Sequence, residues 1–307
     1  MLTRREFGMM TVGSLVLPRA IFGADSKIAG VQIGAQTYSF RGLPRAQTGD
    51  MVADVIRALN EVGLNDCELF APQLEPASAS GGRGAPPEAQ RAARESLRKW
   101  RVETPISHFQ AVKKQFDAAG ITIFAYNYSF HDDFTDEEIN RGFEMTRALG
   151  ANVSTASTTL PVAERVVPFA EKHKMMVAMH GHSNTKDPNE FATPESFAKA
   201  MKMSKYYKVN LDIGHFTAAN YDAVAYMKEH HADITNIHLK DRKKNQGDNV
   251  PWGEGDTPIR EVLQLLKKER WPIHAHIEYE YRGTGSPIEE TKKCYAFAKQ
   301  ALEGARA

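Results

Sequence analysis

Eight short runs of β-branched and aromatic residues alternate with longer amphipathic stretches along the chain. The short runs are residues 31–38, 66–70, 121–128, 152–157, 176–180, 208–213, 234–239 and 273–279. The amphipathic stretches are residues 50–62, 106–119, 136–149, 161–173, 194–203, 222–230, 258–268 and 289–303. Such alternation is typical of repeated βα units around a parallel sheet. Because a (β/α)8 barrel has about 250 residues, eight units within residues 25–307 predict one α/β domain, a single (β/α)8 TIM barrel.

The connections agree with this prediction. Gly63, Gly120 and Gly150 each follow a predicted helix, where glycine commonly ends helices. A doubly wound open sheet is the alternative, but no glycine-rich dinucleotide turn follows the first strand. Residues 72–91, rich in Gly, Pro, Ala and Ser, follow the second strand. In a barrel they lie at the catalytic face, either as a mobile lid or as a surface insertion.

The first 24 residues predict an export signal rather than part of the domain. Arg4 and Arg5 precede an uncharged stretch at 8–18, as in twin-arginine signals. We therefore expect a periplasmic or exported protein, with a cytosolic chain carrying a chance arginine pair as the alternative. Phe22 is not the small residue expected before a cut after Ala24, so an uncleaved, membrane-tethered form stays open. No later segment has about 18 uninterrupted apolar residues, so no stable transmembrane span is expected after processing.

The amino-acid composition limits the classes of partner that this chain is expected to bind. The 39 Lys and Arg residues nearly balance 38 Asp and Glu residues, for a net charge of +1. Such a chain has no global positive field, so we expect no nucleic-acid partner. Cys67 and Cys294 are far apart and do not have zinc-ligand spacing, so they are interpreted as buried small hydrophobic residues. A homo-oligomer is left open.

Polar side chains collect where the last four predicted strands end. Residues two apart share one face of a strand, so each strand offers one set to the barrel interior. The sets are His180 and His182; Asp212; His238, Lys240 and Arg242; and His276, Glu278 and Glu280. Buried unpaired charges are strongly destabilising, so this arrangement favours a cation site. Imidazoles mixed with carboxylates suit Mn, Fe, Co or Zn.

Six motifs resemble the sugar phosphate isomerase/epimerase group of the xylose isomerase-like barrel superfamily. They are TYSFR at 37–41, GLNDCE at 63–68, LDIGH at 211–215, HLKDR at 238–242, WGEGD at 252–256 and IEYE at 277–280. The resemblance covers nearly the whole chain after the signal and implies a xylose isomerase-like TIM barrel. In the ketose 3-epimerase branch, Glu, Asp, His and Glu from strands five to eight hold the metal. Asp212, His238 and Glu278 match three of these ligands, and His180 stands where the first Glu would be.

The resemblance implies an enzyme that polarises a sugar carbonyl with a metal and removes the neighbouring proton. One divalent ion, Mn, Co or Zn, would be held by His180, Asp212, His238 and Glu278. Glu278 would be the base, with His182 as a second catalytic residue and Glu280 as an alternative base. The implied substrate contacts are Tyr38, Glu68, His215, Lys240, Arg242 and Glu254.

With His180 replacing one catalytic Glu, three reactions stay open: aldose–ketose isomerisation, epimerisation and β-elimination. We expect an isomerase or epimerase acting on a small carbohydrate, with a lyase that β-eliminates 3-keto-glycosides as the second hypothesis. An apurinic endonuclease is disfavoured by the net charge and the export signal. A non-catalytic sugar-binding protein is the remaining alternative, and metal analysis would discriminate it.

Overall fold

In the computed structural model, which describes residues 25–45, 49–77 and 85–304, eight parallel strands close into a barrel. Strands β2 to β9 pair in chain order, and β2 also pairs with β9 through Ile33 and Ala275. A short strand, β1, runs antiparallel to β2. The strands are β1 (Lys27–Ile28), β2 (Val31–Gln36), β3 (Asp66–Phe70), β4 (Thr122–Asn127), β5 (Val153–Ala156), β6 (Met176–His180), β7 (Tyr207–Asp212), β8 (Ile234–Leu239) and β9 (His274–Ile277). The predicted (β/α)8 barrel is confirmed.

Helices surround the barrel, and eight of them were predicted. The helices are α1 (Val52–Val62), α2 (Pro87–Glu103), α3 (Ile106–Ala118), α4 (Asp136–Ala148), α5 (Leu160–His173), α6 (Pro194–Met201), α7 (Ile213–Ala218), α8 (Ala223–His230), α9 (Ile259–Glu269) and α10 (Pro287–Glu303). Helices α2 and α7 were not predicted. The beginning of α2 falls in the segment 72–91 that we interpreted as a lid or insertion, whereas residues 78–84 of that segment lie outside the described residues.

In β7, β8 and β9, the alternation of side chains separates apolar from polar residues near the C-terminal end of each strand. Leu211, Ile237 and Ile277 belong to the main apolar cluster and are fully buried. The residue after each of them is one of the predicted metal ligands. Because successive side chains point to opposite faces of a strand, this register directs the ligands away from the helix layer and into the barrel mouth.

Local signals fix the ends of several helices. Gly63 is left-handed, with φ of 89°, and its N–H donates to the carbonyls of Leu59 and Asn60 at the end of α1.

Cys67 and Cys294 are free and buried, as expected from their spacing. Among the described helices, none combines the length and apolar character that a membrane crossing requires. The predicted signal at 1–24 lies outside the described residues.

Candidate active site

Four side chains from consecutive strands meet at the C-terminal end of the barrel. His180 and Asp212 end β6 and β7, His238 lies on β8, and Glu278 directly follows β9. One nitrogen or oxygen of each lies within 4.8 Å of the corresponding atoms of the others. All four residues are buried. The structure therefore brings together the residues that the sequence suggested as metal ligands.

Each of these residues has one buried atom without a hydrogen bond. These atoms are His180 Nδ1, Asp212 Oδ2, His238 Nδ1 and Glu278 Oε2; the last three have ion-pair partners within the cluster or in Lys240, whereas His180 Nδ1 has neither kind of partner among the described residues. Most buried polar atoms in proteins make hydrogen bonds, so four ligand atoms without one in the same place need an explanation. Two imidazole nitrogens and two carboxylate oxygens form a donor set suited to a divalent transition metal. The residues thus fit a metal ion.

Hydrogen bonds orient the Asp212 and His238 side chains. Asp212 Oδ1 accepts the N–H of His215 at 2.7 Å, which caps α7 and leaves Oδ2 free. His238 Nε2 lies 2.8 Å from Glu68 Oε2, and Nδ1 lies 3.0 Å from Glu278 Oε2. A carboxylate on the far nitrogen of a histidine fixes the ring for metal binding. Glu68 holds Nδ1 toward the site in this way.

Burial and neighbouring charges set the protonation of the cluster. Burial, together with His238 and His182, holds the pKa of His180 well below its ordinary value, so its ring is neutral. Burial would lower the pKa of His238, but Glu68 and Glu278 raise it well above its ordinary value. Burial raises the pKa of Asp212 to about 6 despite the opposing charge of Lys240. Burial alone would raise the pKa of Glu278, but Lys240 and His238 keep it well below its ordinary value.

Lys240 supplies a buried positive charge beside these carboxylates. Its Nζ lies 3.0 Å from both Asp212 Oδ2 and Glu278 Oε2 and 2.6 Å from Glu280 Oε2. Burial alone would lower the pKa of Lys240, but Asp212 and Glu278 raise it, so the ammonium stays protonated. The Lys240 ammonium is therefore one cation that this cluster already binds. The carboxylates of Asp212, Glu278 and Glu280 carry more negative charge than one ammonium neutralises.

Glu68 lies below the pocket, which corrects its predicted contact with substrate. It is fully buried, and burial alone would raise its pKa, whereas His238 and His276 hold the pKa well below its ordinary range. Its two oxygens are surrounded by side-chain donors from Gln36, Asn127, Thr155, Asn210, Asn236 and His238. The sequence pattern did not indicate this polar layer, although Asn210 and Asn236 lie two residues before Asp212 and His238 and thus share their face.

A cavity of about 350 Å³ opens above the cluster. Among the predicted site residues it is lined by Tyr38, His180, His182, His215, His238, Lys240, Glu278 and Glu280. His182 Nδ1 lies 3.0 Å from Glu190 Oε1, and burial lowers the pKa of His182 while Glu190 opposes this effect. Further lining residues that the sequence did not suggest include Phe70, Arg101, Asn127, Ser129, His131 and Ser157.

Two predicted substrate contacts lie outside this lining. Arg242 is behind His215: its Nη1 lies 2.6 Å from His215 Nδ1 and 3.0 Å from Ser183 Oγ. Glu254 is exposed on the loop after β8. Strand alternation does not extend to these positions because β8 ends at Leu239. The structure thus places Arg242 and Glu254 outside the cavity lining, and their direct contact with substrate stays a prediction.

The same loop explains why HLKDR and WGEGD occur together. Asp241 accepts backbone N–H groups of Gly253, Gly255 and Thr257. A Cβ at Gly255 would overlap the Asp241 carboxylate, so this close approach requires glycine. Asp241 therefore fixes the loop, while its neighbour Lys240 reaches into the cavity.

Comparisons with known proteins agree with the fold. A sugar phosphate isomerase/epimerase from Parabacteroides distasonis is 18% identical, with 87% of this chain and 95% of that chain covered and a TM-score of 0.59. The probable 3-DHS dehydratase AsbF from Bacillus anthracis is 14% identical, with coverages of 87% and 99% and a TM-score of 0.60. The IOLI protein with a zinc atom is 13% identical, with coverages of 89% and 99% and a TM-score of 0.61. These likenesses show the fold alone.

A comparison with curated proteins found no match. A family model described as xylose isomerase-like TIM barrel matches residues 56–301. This range contains β3 to β9 and all four residues of the metal-competent cluster. The chain belongs to the xylose isomerase-like TIM barrel family.

Proposed function

We propose that this protein is a divalent-metal-dependent sugar isomerase or epimerase that moves a proton next to a carbonyl. The observation that carries the proposal is the convergence of four buried ligand atoms, none of which makes a hydrogen bond, below an open cavity. Two carboxylates and two imidazoles favour Mn, Co or Zn. The family and the sugar phosphate isomerase/epimerase among its structural relatives support the reaction class.

In this proposal His180, Asp212, His238 and Glu278 hold the ion. When bound, the ion supplies Lewis acidity that polarises the substrate carbonyl and acidifies the adjacent C–H. Glu278 lines the cavity and accepts the proton at a carboxylate oxygen. His182 also lines the cavity and is held by Glu190, so it is placed to return or remove a proton from another direction.

Substrate hydroxyls would be bound by side chains around the cluster. Lys240 and His215 line the cavity on the metal side, and Tyr38 lines it from the end of β2. Arg242 acts on substrate only through His215, whose ring it contacts. We also propose that residues 1–24 export the protein, so that it meets free carbohydrates rather than cytoplasmic sugar phosphates.

A lyase that β-eliminates 3-keto-glycosides is the second candidate. One feature favours it: His180 contributes an imidazole where the resemblance to the ketose 3-epimerases implies a carboxylate. Glu278 is then the cluster's carboxylate base, because Asp212 caps α7. A single strong base removes a proton from one face without an equal partner on the other, which suits elimination. The dehydratase among the structural relatives is consistent with such chemistry in this fold.

Solvent deuterium exchange tests the proposal. Metal-loaded protein is incubated in D2O with free sugars and 3-keto-glycosides, and products are followed by NMR. We expect deuterium at the carbon next to the carbonyl, and we expect Glu278→Gln to lose at least about 100-fold in rate, as general-base removal does. Glu254→Gln is the control because Glu254 is exposed outside the cavity lining.

The products separate the candidate reactions. Rapid interconversion of epimers favours the epimerase, whereas release of an unsaturated sugar favours the lyase. Turnover without deuterium incorporation, or turnover that survives complete chelation of metal, contradicts the enolisation proposal. A protein that binds sugars but takes up no Mn, Co or Zn favours the non-catalytic alternative.

A further inference from the structure

We propose that Lys240 competes with the divalent ion for two ligand oxygens, and that Glu280 holds the lysine ammonium when the ion takes those oxygens. Lys240 thus sets the affinity of the site for metal. The inference rests on the metal cluster of the proposed function, but it does not depend on which reaction the cluster catalyses. Three features carry it: the position of the ammonium, the direction of its hydrogen bonds and the packing of the lysine stem.

The Lys240 ammonium lies at the two carboxylate oxygens that the metal site needs. Its Nζ is 3.0 Å from Asp212 Oδ2 and 3.0 Å from Glu278 Oε2. All three side chains are buried, so little water screens the charges. Like charges a few ångströms apart repel strongly in such surroundings. A divalent ion bound to both oxygens and an ammonium at the same two oxygens therefore oppose each other.

The hydrogen bonds of the ammonium are directed to other side chains. Within the described residues, neither Asp212 Oδ2 nor Glu278 Oε2 accepts a hydrogen bond. Lys240 Nζ instead donates to Glu280 Oε2 at 2.6 Å and lies 3.1 Å from His215 Nε2. Hydrogen bonds between charged partners are the strong ones. The ion can therefore replace the ammonium at Asp212 and Glu278 while Lys240 keeps its bond to Glu280.

The aliphatic stem of Lys240 is held by close packing against α7. A Cβ at Gly214 would lie 2.7 Å from Lys240 Cγ and 2.8 Å from the Lys240 carbonyl oxygen, so this contact requires glycine. Because the stem is fixed, the exchange involves only the end of the side chain.

Glu280 receives the ammonium on the cavity side of the cluster. The Glu280 side chain is 25% exposed and lines the cavity, whereas the side chains of Asp212 and Glu278 are 0% and 8% exposed. An ammonium that leaves the ligand oxygens and keeps Glu280 therefore faces the cavity, where it can donate to a substrate oxygen.

Metal titration of variants that lack one lysine charge tests the competition. Isothermal titration with Mn²⁺ at one pH and ionic strength measures Kd. Lys240→Met keeps most of the stem and removes the charge, so we expect Kd to fall by at least about tenfold. Lys208→Met is the matched control, because Lys208 lies on β7, pairs with Asp233 at 2.8 Å and does not line the cavity.

We expect Lys208→Met to keep the wild-type Kd, which separates local competition from a change in net charge. Equal Kd in Lys240→Met and wild type, or an equal gain in both Met variants, overturns the inference.

Glu280→Gln tests the receiving carboxylate. Without its charge the ammonium stays with Asp212 and Glu278, so we expect Kd for Mn²⁺ to rise. The rise should be smaller in the Lys240→Met background, where there is no ammonium to receive. An equal rise in both backgrounds would mean that Glu280 acts only as one more negative charge, and this result overturns the inference.

Crystals of wild type prepared with and without Mn²⁺ provide a test that does not depend on whether Lys240→Met folds. With Mn²⁺ bound, we expect Lys240 Nζ to lie beyond about 4 Å, the limit for an ion pair, from Asp212 Oδ2 and Glu278 Oε2, with its bond to Glu280 kept. A bound ion with Nζ still at ion-pair distance from both oxygens overturns the inference.

The titrations also separate this inference from the proposed function. Uptake of Mn²⁺ by Lys240→Met but not by wild type supports the inference and contradicts the proposed metal dependence. Equal uptake by both proteins overturns the inference and leaves the proposed function standing.

Discussion

At the scale of single residues, the site depends on which nitrogen of His238 faces the cluster. Glu68 engages Nε2 at 2.8 Å, and this leaves Nδ1 beside Glu278. Glu68 is itself held by amide and hydroxyl donors, so it cannot rotate away without breaking several hydrogen bonds. Its role is positioning, since it does not reach the cavity.

Replacing Glu68 with Gln tests this role. The amide keeps the size of the side chain but loses the charge that stabilises and orients His238, so we expect metal affinity to fall about 10- to 100-fold. Isothermal titration with Mn²⁺ or Zn²⁺ measures the change. Glu190→Gln is the control, because Glu190 contacts His182 rather than His238. Equal metal affinity in Glu68→Gln and wild type would mean that Glu68 does not position His238 for metal binding.

Protons compete with the metal at the same side chains. Burial raises the pKa of Asp212 to about 6, and Glu68 and Glu278 hold a proton on His238 to higher pH despite its burial. Both groups must lose their protons to act as ligands, so metal affinity should rise as pH passes about 6, where Asp212 titrates, and should keep rising above the ordinary histidine pKa of about 6.5 as His238 loses its proton. Titrations in buffers of different ionisation enthalpy should show proton release on binding. Affinity that is independent of pH would contradict the assigned ligands.

At the scale of elements, α2 shows what sequence patterns miss. Arg94 and Arg98 of α2 both bind Glu138 of α4, whose side chain is fully buried. Arg101 is the buried residue of α2 among its described side chains. The helix is therefore attached largely by ion pairs rather than by an apolar stripe, and apolar periodicity is the signal that predicts most helices. This is why a segment that supplies the cavity's arginine went unpredicted.

Glu138→Gln should loosen this attachment. The neutral amide weakens the charge-assisted hydrogen bonds from Arg94 and Arg98, which keep Asp133 and Glu95 as partners, so we expect about 2 kcal/mol lower free energy of unfolding at pH 7. Burial alone would raise the pKa of Glu138, but hydrogen bonds from Arg94, Thr135 and Arg98 lower it. The carboxylate therefore stabilises the fold above its unfolded pKa of about 4.3, and this contribution is lost as pH falls further.

Urea unfolding at pH 7 and at pH 4 measures the difference. The gap between wild type and Glu138→Gln should narrow at the lower pH. Glu137→Gln is the matched control, since Glu137 is the exposed neighbour of Glu138 on α4. An equal gap at both pH values, or an equal loss in both variants, would show that the ion pairs do not attach α2.

The sequence predicted which segments form strands better than it predicted how deep in the barrel each side chain lies. All eight barrel strands overlap their predicted ranges, because β-branched runs and helix-ending glycines are local signals. Alternation also identified the cluster of His180, Asp212, His238 and Glu278. It gives the face of a strand but not the height of a residue in the barrel, so Glu68 was placed in the pocket rather than below it. It also does not give the course of the loop beyond a strand end, so Arg242, three residues past β8, was placed in the pocket lining, although Lys240, one residue past β8, was placed correctly.

At the scale of the whole molecule, polar clusters lie at two levels of the barrel. Asp66 and His274 begin β3 and β9, and with His276 they form another group close enough to hold a metal. There, however, His276 Nε2 lies 2.8 Å from Asp66 Oδ1, and His276 Nδ1 lies 3.2 Å from an Asn236 amide. These atoms are hydrogen-bonded, whereas the ligand atoms at the other end of the strands make no hydrogen bonds among the described residues and are held by ion pairs with Lys240 and between His238 and Glu278. The cation is therefore expected at the C-terminal end.

Anomalous diffraction from crystals of Mn²⁺-loaded protein tests this placement most directly. We predict one anomalous peak, about 2.0–2.3 Å from a nitrogen of His180 and of His238 and from an oxygen of Asp212 and of Glu278. The peak should disappear in crystals of Asp212→Asn prepared in the same way. A peak at Asp66, His274 and His276 instead, or a fully loaded protein with no peak at the C-terminal cluster, would contradict it.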